Sequence, residues 1–389
     1  MTVWDALVGQ RDAVDRLQRA VVDAGLAEPG PEMTHAWLIT GPPGSGRSMA
    51  AVAFATALVC PEGGCGVCDQ CREVASGVHS DVTIVRPSGV ILGVDQTRGL
   101  VGRVGVLPIR SEWNVIVIED ADRLNEHADN ALLKALEEPP PRGVWILCAP
   151  SADDLLPTIR SRCRVVRLRT PPIDDVADYL TQAEGVDPAL AAYAARAAQG
   201  HVGRARALAT DPEERVRHQE ILRFPSRLGS VAACLTAADD VVAAAKDRVA
   251  AIADPMDAAE LAELLRNYGE GGTGPGTARS RASSVIKDQE KEHRNRRRRL
   301  LRDELDRVLL DLLGLYRDVL AVTTLARTPL INEELRSEID RLAAATDAPG
   351  ALRRIDAIGR ARALLAADGT EELVFERLAL ELQRPPASR

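Results

Sequence analysis

The stretch GPPGSGRS, from Gly41 to Ser48, has the spacing of a phosphate-binding loop. It fits the pattern G-x-x-x-x-G-K-[ST] at every fixed position except the lysine, where the chain has Arg47. The apolar run HAWLIT before the loop predicts a strand, and the alanine-rich run after it predicts a helix. A phosphate-binding loop requires that strand–loop–helix context. A glycine turn without function is the alternative, and it does not account for the matching flanks.

Backbone N–H groups and the start of a helix attract anions, so the loop predicts a site for ATP or ADP with Mg²⁺. The candidate nucleotide-binding residues in the loop are Gly41, Pro42, Pro43, Gly44, Ser45, Gly46, Arg47 and Ser48. The hydroxyl of Ser48 would be a Mg²⁺ ligand. Arginine keeps the positive charge of the missing lysine, but it is longer and planar. We therefore expect that nucleotide binding survives this exchange better than catalysis does.

The segment NVIVIEDADRL (Asn114–Leu124) predicts a buried strand that ends in Glu119 and Asp120. Working ATPases of this type place an aspartate first, for the Mg²⁺ shell, and a glutamate second, to polarise the attacking water. The order is reversed here, so each carboxylate is displaced by about one methylene group. A displacement of about 1 Å can lower a rate about a hundredfold. The acidic pair therefore also predicts weak or absent hydrolysis.

Four cysteines within twelve residues form the pattern C-x4-C-x2-C-x2-C, separated by glycine-containing turns. They are Cys60, Cys65, Cys68 and Cys71. Four thiolates fill every position of a tetrahedral Zn²⁺ ion, which predicts a structural zinc site. Incidental cysteines and a redox C-x-x-C pair are the alternatives. The other three cysteines, Cys148, Cys163 and Cys234, are expected to be small buried residues.

The length of the chain, 389 residues, predicts two or three domains. The net charge of −8 argues against wrapping nucleic acid over the whole surface, although local basic patches remain possible. The longest apolar stretches are too short to cross a bilayer, and the N-terminus lacks a signal-peptide pattern. We therefore expect a cytoplasmic protein without a membrane partner, whose cysteines are thiols or metal ligands.

Several of these motifs together resemble the clamp-loader branch of the AAA+ ATPases. They are VGQRDAVDRL, HAWLITGPPGSGRS, the cysteine insert, and the long run from Asp120 to Cys163 that contains NALLKALEEPP and SRC. The resemblance is strong over roughly the first 210 residues. It implies an α/β P-loop AAA+ module, with a parallel sheet flanked by helices and a zinc-binding insert. A small helical lid and an all-α C-terminal collar domain would follow.

Within this family the chain resembles δ′-type subunits more than the ATP-hydrolysing γ/τ motors. Besides Arg47 and the reversed acidic pair, Ala149 and Pro150 stand where the family's sensor 1 has Thr, Ser or Asn. The resemblance implies a stator of the DNA polymerase III clamp loader that is not catalytic alone. A polymerase or nucleotidyltransferase classification would come from the holoenzyme. The alternatives are an active γ/τ-like motor and a separate zinc-bearing DNA-binding protein, which the acidic balance and scarce aromatic residues disfavour.

The resemblance also implies one catalytic residue, Arg162 in SRC. In the family this arginine reaches into the ATP site of the neighbouring subunit. The alternative is an ordinary surface arginine among Arg160, Arg162 and Arg164. Arg204, in QGHVGRARAL, would approach the nucleotide from the lid, or else lie on a solvated helix face. The implied partners are the γ/τ and δ subunits, the sliding clamp and, through the assembled complex, primer-template DNA.

The paired prolines after RVVRL and the helical patterns beyond them predict three domains. These are a nucleotide-binding domain over residues 1–170 with the zinc module at about 60–71, a lid over 171–212, and a collar over 213–389. The Gly/Ser-rich stretch predicts a flexible loop at about 268–290. The basic run from Arg296 to Arg299 indicates either contact with DNA phosphates or a solvated helix. The favoured solvated helix would pair Glu290 with Arg294 and Glu292 with Arg296.

Overall fold

Five short apolar segments form a parallel β-sheet. In the computed structural model, which describes residues 2–85, 94–124, 126–268 and 276–383, the strands are β1 (Ala36–Thr40), β2 (Val82–Val85), β3 (Asn114–Ile118), β4 (Gly143–Ala149) and β5 (Arg164–Arg167). Their order across the sheet is β2-β3-β4-β1-β5, and every pairing is parallel. Because the carboxyl ends of parallel strands share one edge, the segments that follow β1, β3 and β4 meet there.

The chain divides into two compact units, Met1–Thr210 and Asp211–Arg389. In the first unit the helices are α1 (Arg11–Ala24), α2 (Arg47–Val59), α3 (Asp69–Ser76), α4 (Val94–Val104), α5 (Glu126–Glu137), α6 (Pro157–Arg160), α7 (Ile173–Glu184), α8 (Pro188–Ala197) and α9 (Val202–Thr210). Helices α7, α8 and α9 share a core of small apolar residues. The division into three domains stays a prediction.

Helices cover both faces of the sheet, and β1 shows why. Its side chains alternate, so that Trp37 and Ile39 pack with α1 and α2, whereas Leu38 packs with α4 and α5. A strand buried on both faces requires the continuous apolar sequence that β1, β3 and β4 have. The predicted parallel sheet with flanking helices is confirmed.

The second unit is helical in its described residues. Its helices are α10 (Pro212–Leu222), α11 (Val231–Tyr268), α12 (Gly276–Thr323), α13 (Arg336–Ala344), α14 (Ala348–Ala366) and α15 (Glu371–Leu382). Leucines of α12, among them Leu309, Leu312 and Leu315, are fully buried in its core. The helical C-terminal part predicted by the sequence is confirmed.

The predicted flexible loop at 268–290 is wrong over most of its length. Helix α12 begins at Gly276, and residues 269–275 lie outside the described part of the chain. Glycine and proline end at position 276, and the Ala, Arg, Lys and Glu residues beyond it favour helix. Among the described residues, no helix combines the length and the apolar character needed to span a membrane.

Asp81, immediately before β2, is a polar anchor of the first unit. Its carboxylate accepts hydrogen bonds from the backbone amides of Ile109, Arg110 and Ser111, each at 2.8 Å, and from the Ser111 hydroxyl at 3.0 Å. Burial raises the pKa of Asp81, but the four hydrogen bonds outweigh burial and hold that pKa below its usual value. The carboxylate thereby fixes the segment before β3 against the start of β2.

We predict that Asp81→Asn lowers the free energy of unfolding by about 2 kcal/mol at pH 7, because an amide cannot accept from all four donors. The folded-state pKa lies below the unfolded value of about 3.9, so the stabilisation is present above that pH. It is lost as the pH falls through the folded-state pKa. Urea unfolding measured from pH 7 to pH 3 should show the free energy of unfolding of the unmodified protein fall toward that of Asp81→Asn. Asp178→Asn, at an exposed position, should change little; equal effects of both variants would contradict the anchor role.

Candidate nucleotide and zinc sites

The loop from Gly41 to Ser48 joins β1 to α2, as the sequence predicts. Gly44 and Gly46 have φ of +83° and +90°, a conformation that L side chains rarely adopt. Ser45 is buried, and its Oγ lacks a hydrogen-bond partner among the described residues. A buried hydroxyl of this kind fits a loop that receives a polar ligand. The loop, the helix start and Ser48 would hold the phosphates and Mg²⁺ of a nucleotide, whose chemistry would be phosphoryl transfer.

Arg47 interacts with its own loop. Its guanidinium donates a hydrogen bond to the carbonyl oxygen of Gly41, at the start of the same turn. The thiol of Cys148, on β4, lies 3.8 Å from the carbonyl oxygen of Arg47. Burial raises the pKa of that thiol, and the charge of Glu119 raises it further, so Cys148 is a neutral core residue. Its predicted role as a small buried residue is confirmed.

The acidic pair lies on the same edge of the sheet. Glu119 follows β3, and its amide donates to the carbonyl oxygen of Val85 at 3.0 Å. Asp120 has φ of +56°, an uncommon conformation for a residue other than glycine, and its carboxylate lies 3.8 Å from Nε of Arg123. Asp120 therefore lies in a backbone turn with its carboxylate beside Arg123.

Asp122 is a site residue that the sequence reasoning missed. It is half-buried, and its Oδ1 has no hydrogen-bond partner in the described structure. Burial raises the pKa of Asp122, the charge of Asp120 adds to that effect, and the charge of Arg47 opposes it. The available signal was a second acid two residues after Asp120, in the turn that follows a buried strand.

The end of β4 also meets the loop. The amide of Gly41 donates to the carbonyl oxygen of Pro150 at 3.2 Å. Ala149 is fully buried, and neither it nor Pro150 carries a polar side chain that could contact a γ-phosphate. This edge of the sheet therefore has no side-chain donor at the position of sensor 1.

Gln10 is a second residue that the sequence reasoning left without a role. Its side-chain amide donates to the carbonyl oxygens of Ser45, at 3.2 Å, and Arg169, at 2.6 Å, and its Oε1 accepts from the amide of Arg169 at 3.1 Å. Gln10 is buried, so these bonds replace water. It connects the phosphate loop to the segment after β5.

Helix α9 begins beside the loop. A methyl group added to Gly44 would lie 2.6 Å from the ring of His201, and Nδ1 of His201 accepts from the amide of Arg204 at 3.3 Å. Arg204 is buried, which excludes the solvated helix face as its environment. Contact between Arg204 and a nucleotide stays a prediction.

The four predicted zinc ligands come together. Their sulfurs lie 3.8 Å apart for Cys60–Cys65, 3.7 Å for Cys60–Cys68 and 4.0 Å for Cys65–Cys71. Zn–S bonds of about 2.3 Å in a tetrahedron place sulfurs about 3.8 Å apart. The donor set and its dimensions therefore fit a zinc ion, whose chemistry here would be structural.

Backbone amides support negative charge on Cys60 of this cluster. The Sγ of Cys60 lies 3.4 Å from the amide of Glu62 and 3.5 Å from that of Cys65. Burial raises the pKa of Cys60, but backbone amides, including that of Gly64, lower it to about 7. Gly64 has φ of +103°, and an added Cβ there would lie 2.5 Å from the Val3 side chain. The N-terminal segment thus packs directly on the cysteine loop.

Arg162 lies between α6 and β5 with about a third of its side chain exposed. Its guanidinium pairs with Glu137 of α5 at 2.6 Å and donates to the carbonyl oxygen of Thr158 at 2.9 Å. Arg160 instead pairs with Asp153, and Arg164 binds the 31–32 segment and stacks over the Trp37 ring. The three arginines therefore have different environments.

The first unit is similar in sequence to known proteins. Residues 13–172, which are 160 of the 389 residues, match the family model described as "DNA polymerase III, delta subunit". Over that range the chain is similar to this family. It is 39% identical to the DNA polymerase III subunit delta' of Pseudomonas aeruginosa, over 33% of this chain and 41% of the relative. It is 34% identical to the DNA polymerase III subunit gamma/tau of Mycobacterium bovis, over 40% of this chain and 27% of the relative.

A solved structure is also similar, the DNA polymerase III gamma subunit-related protein of Thermotoga maritima. It is 15% identical, with a TM-score of 0.41, covering 95% of this chain and 98% of that chain. The chain spans about two fifths of the length of the delta' relatives that it matches. The DNA polymerase III family match includes the phosphate loop, the four cysteines and Arg162, and it ends before the second unit.

We predict that the purified chain carries about one zinc ion, and that Cys68→Ser loses it. Zinc binding contributes to folding where the ligands come together only in the folded state. Loss of about 2 kcal/mol would lower Tm by roughly 4–8 °C in a unit of this size. Zinc content and thermal unfolding would be measured together on both proteins. Cys163→Ser is the matched control and should keep the metal; zinc retained by Cys68→Ser would contradict the assignment.

Proposed function

We propose that this chain is a δ′-like stator subunit of the DNA polymerase III clamp loader. It would assist ATP-dependent loading of the sliding clamp at primed DNA, as a partner of the γ/τ and δ subunits in the cytoplasm. It would hydrolyse ATP weakly or not at all. Through Arg162 it would complete the ATPase site of a neighbouring subunit.

The observation that carries the non-hydrolytic role is the hydrogen bond from Arg47 to the carbonyl oxygen of Gly41. The residue that should bridge the β- and γ-phosphates interacts with its own loop. Two further features support the same role. The end of β4 is apolar and lacks a polar side chain that a motor uses, and the carboxylate of Asp120 lies beside Arg123. A nucleotide could still bind through the backbone amides of the loop.

The position of Arg162 supports its role as a finger. It is partly exposed, and among the described residues its side chain forms an ion pair with Glu137, on the surface of the same unit. An arginine that serves a neighbour must remain within reach of solvent, whereas Arg164 is held against Trp37. Arg162 is therefore better suited than Arg164 to reach a neighbouring subunit.

We predict that the isolated chain turns over no ATP above background, and that Arg47→Ala does not change this rate. A phosphate-release assay at saturating Mg²⁺-ATP measures both proteins, with binding of a fluorescent nucleotide followed in parallel. A γ/τ-like motor would instead turn over ATP alone and lose that activity in Arg47→Ala. Such a loss would reject the stator in favour of the motor.

We predict that Arg162→Ala strongly lowers ATP turnover of the reconstituted complex while the complex stays assembled. A finger supplied in trans contributes about 10³-fold or more to the site it serves. Turnover would be measured at equal subunit ratio, with assembly checked by gel filtration. Arg160→Ala removes the neighbouring arginine and should keep turnover near that of the unmodified complex. Unchanged turnover in Arg162→Ala would exclude the finger role.

A further inference from the structure

The long helices α11 and α12 form an antiparallel hairpin in the second unit. Arg248 of α11 contacts Glu304 of α12, and farther along α11, Glu260 contacts Gln289. As positions advance along α11 they recede along α12, so the contacts run in opposite directions. Charged and polar groups connect the two helices in the distal half of this hairpin.

The acids of α11 take up part of the basic run. Arg296 pairs with Asp257 and Glu260, and Arg297 pairs with Asp254 at 2.7 Å and Asp257 at 2.6 Å. The sequence-based pairing of Arg296 with Glu292 is therefore wrong, because α11 presents closer acids from across the hairpin. These two arginines hold α12 against α11 and are not available as a DNA-binding surface.

A different set of bases faces solvent. Lys287, Lys291, Arg294 and Arg298 are exposed and follow one another at intervals of four, three and four residues. That spacing places all four on one face of α12. We call these four residues the basic row. Glu290, also exposed, lies at the border of that face.

Most of the charges of the basic row are not neutralised by described acids of the same chain. Among the residues whose side chains the structure describes, Lys287, Lys291 and Arg294 have no ion-pair partner. Arg298 reaches Asp368 at 3.2 Å, with 55% of its side chain exposed. The acids of the neighbouring helix point inward to Arg296 and Arg297, so the outward face of the hairpin is positive on a chain of net charge −8.

We propose that the basic row binds the sugar-phosphate backbone of duplex DNA. Twelve residues of helix carry the four charges over about 16 Å, with steps of about 4.5–6 Å between them. One DNA strand presents a phosphate every 3.4 Å or so along the duplex, so the row spans about five phosphates. A straight, regular line of exposed charges fits a regular line of phosphates, and it carries no group that would read bases.

This proposal rests on the proposed function in one respect: a clamp-loader subunit works close to DNA. The contact belongs to the second unit and needs neither nucleotide nor Arg162. It also differs from DNA binding by a zinc module, which would depend on the cysteine cluster. DNA binding by the isolated chain therefore distinguishes the basic row from the stator role of Arg162 and from DNA binding by a zinc module.

The test is fluorescence anisotropy of a labelled 20-base-pair duplex with the full chain between 50 and 200 mM NaCl. Four phosphate contacts predict a slope of log K against log salt of about −3.6. The triple variant Lys287→Glu, Lys291→Glu, Arg294→Glu should reduce that slope by about 2.7, at about 0.9 per contact, and weaken binding about tenfold or more. The changes are on exposed residues, and circular dichroism checks that the fold is kept.

The matched control is the triple variant Arg223→Glu, Arg327→Glu, Arg353→Glu. It makes the same charge change at exposed positions of the second unit away from the basic row. It should bind DNA with nearly the original slope, as should Arg162→Ala and Cys68→Ser. Absence of DNA binding at 50 mM NaCl, equal losses in both triple variants, or loss only in Cys68→Ser would each overturn the proposal. If Arg162→Ala lowers ATP turnover of the complex while the chain still binds DNA, the result supports the finger role and shows that the DNA contact does not depend on it.

Discussion

The pairing of β1 with β4 on one side and β5 on the other is the constraint on which the first unit depends. Leu38 pairs with Leu147 in one neighbour and with Val165 in the other, so β1 cannot shift without breaking both ladders. A shift of one residue would also turn Trp37 and Ile39 toward the wrong face. The end of β1 therefore fixes Gly41, whose amide contacts the carbonyl oxygen of Pro150.

That fixed edge helps to hold the phosphate loop, although the loop has Arg47 where its pattern has lysine. Arg47 bonds the carbonyl oxygen of Gly41, and Gln10 bonds that of Ser45, so protein groups hold the turn from two sides. In a motor, the cation at position 47 must respond to the phosphates. Here the geometry favours a loop whose cation stabilises the fold, which fits a subunit that works through its neighbours.

Sequence patterns predicted most of the first unit because its signals are local. Spacing alone identified the glycines at 44 and 46 and the four cysteines, and continuous apolar runs identified the central strands. The side-chain bonds of Gln10 and Asp81 were not predictable, because their partners are 28 or more residues away. The loop at 268–290 failed for a related reason. Composition indicated flexibility, whereas Glu260 of α11 accepts a hydrogen bond from Gln289 of α12 across the hairpin.

The pairing of Arg162 with Glu137 bears on how a finger in trans can work. Both side chains are substantially exposed, and an exposed ion pair is worth about 0–1 kcal/mol. Leaving Glu137 would therefore cost little compared with the stabilisation of a γ-phosphate in a closed site. The pair would hold the guanidinium in an ordered position until a neighbour arrives, and Thr158, which accepts from the same group, would limit how far it strays. The same reasoning separates the charges of the second unit: Arg296 shares two acids and stays in place, whereas Arg294 faces solvent and can bind another molecule.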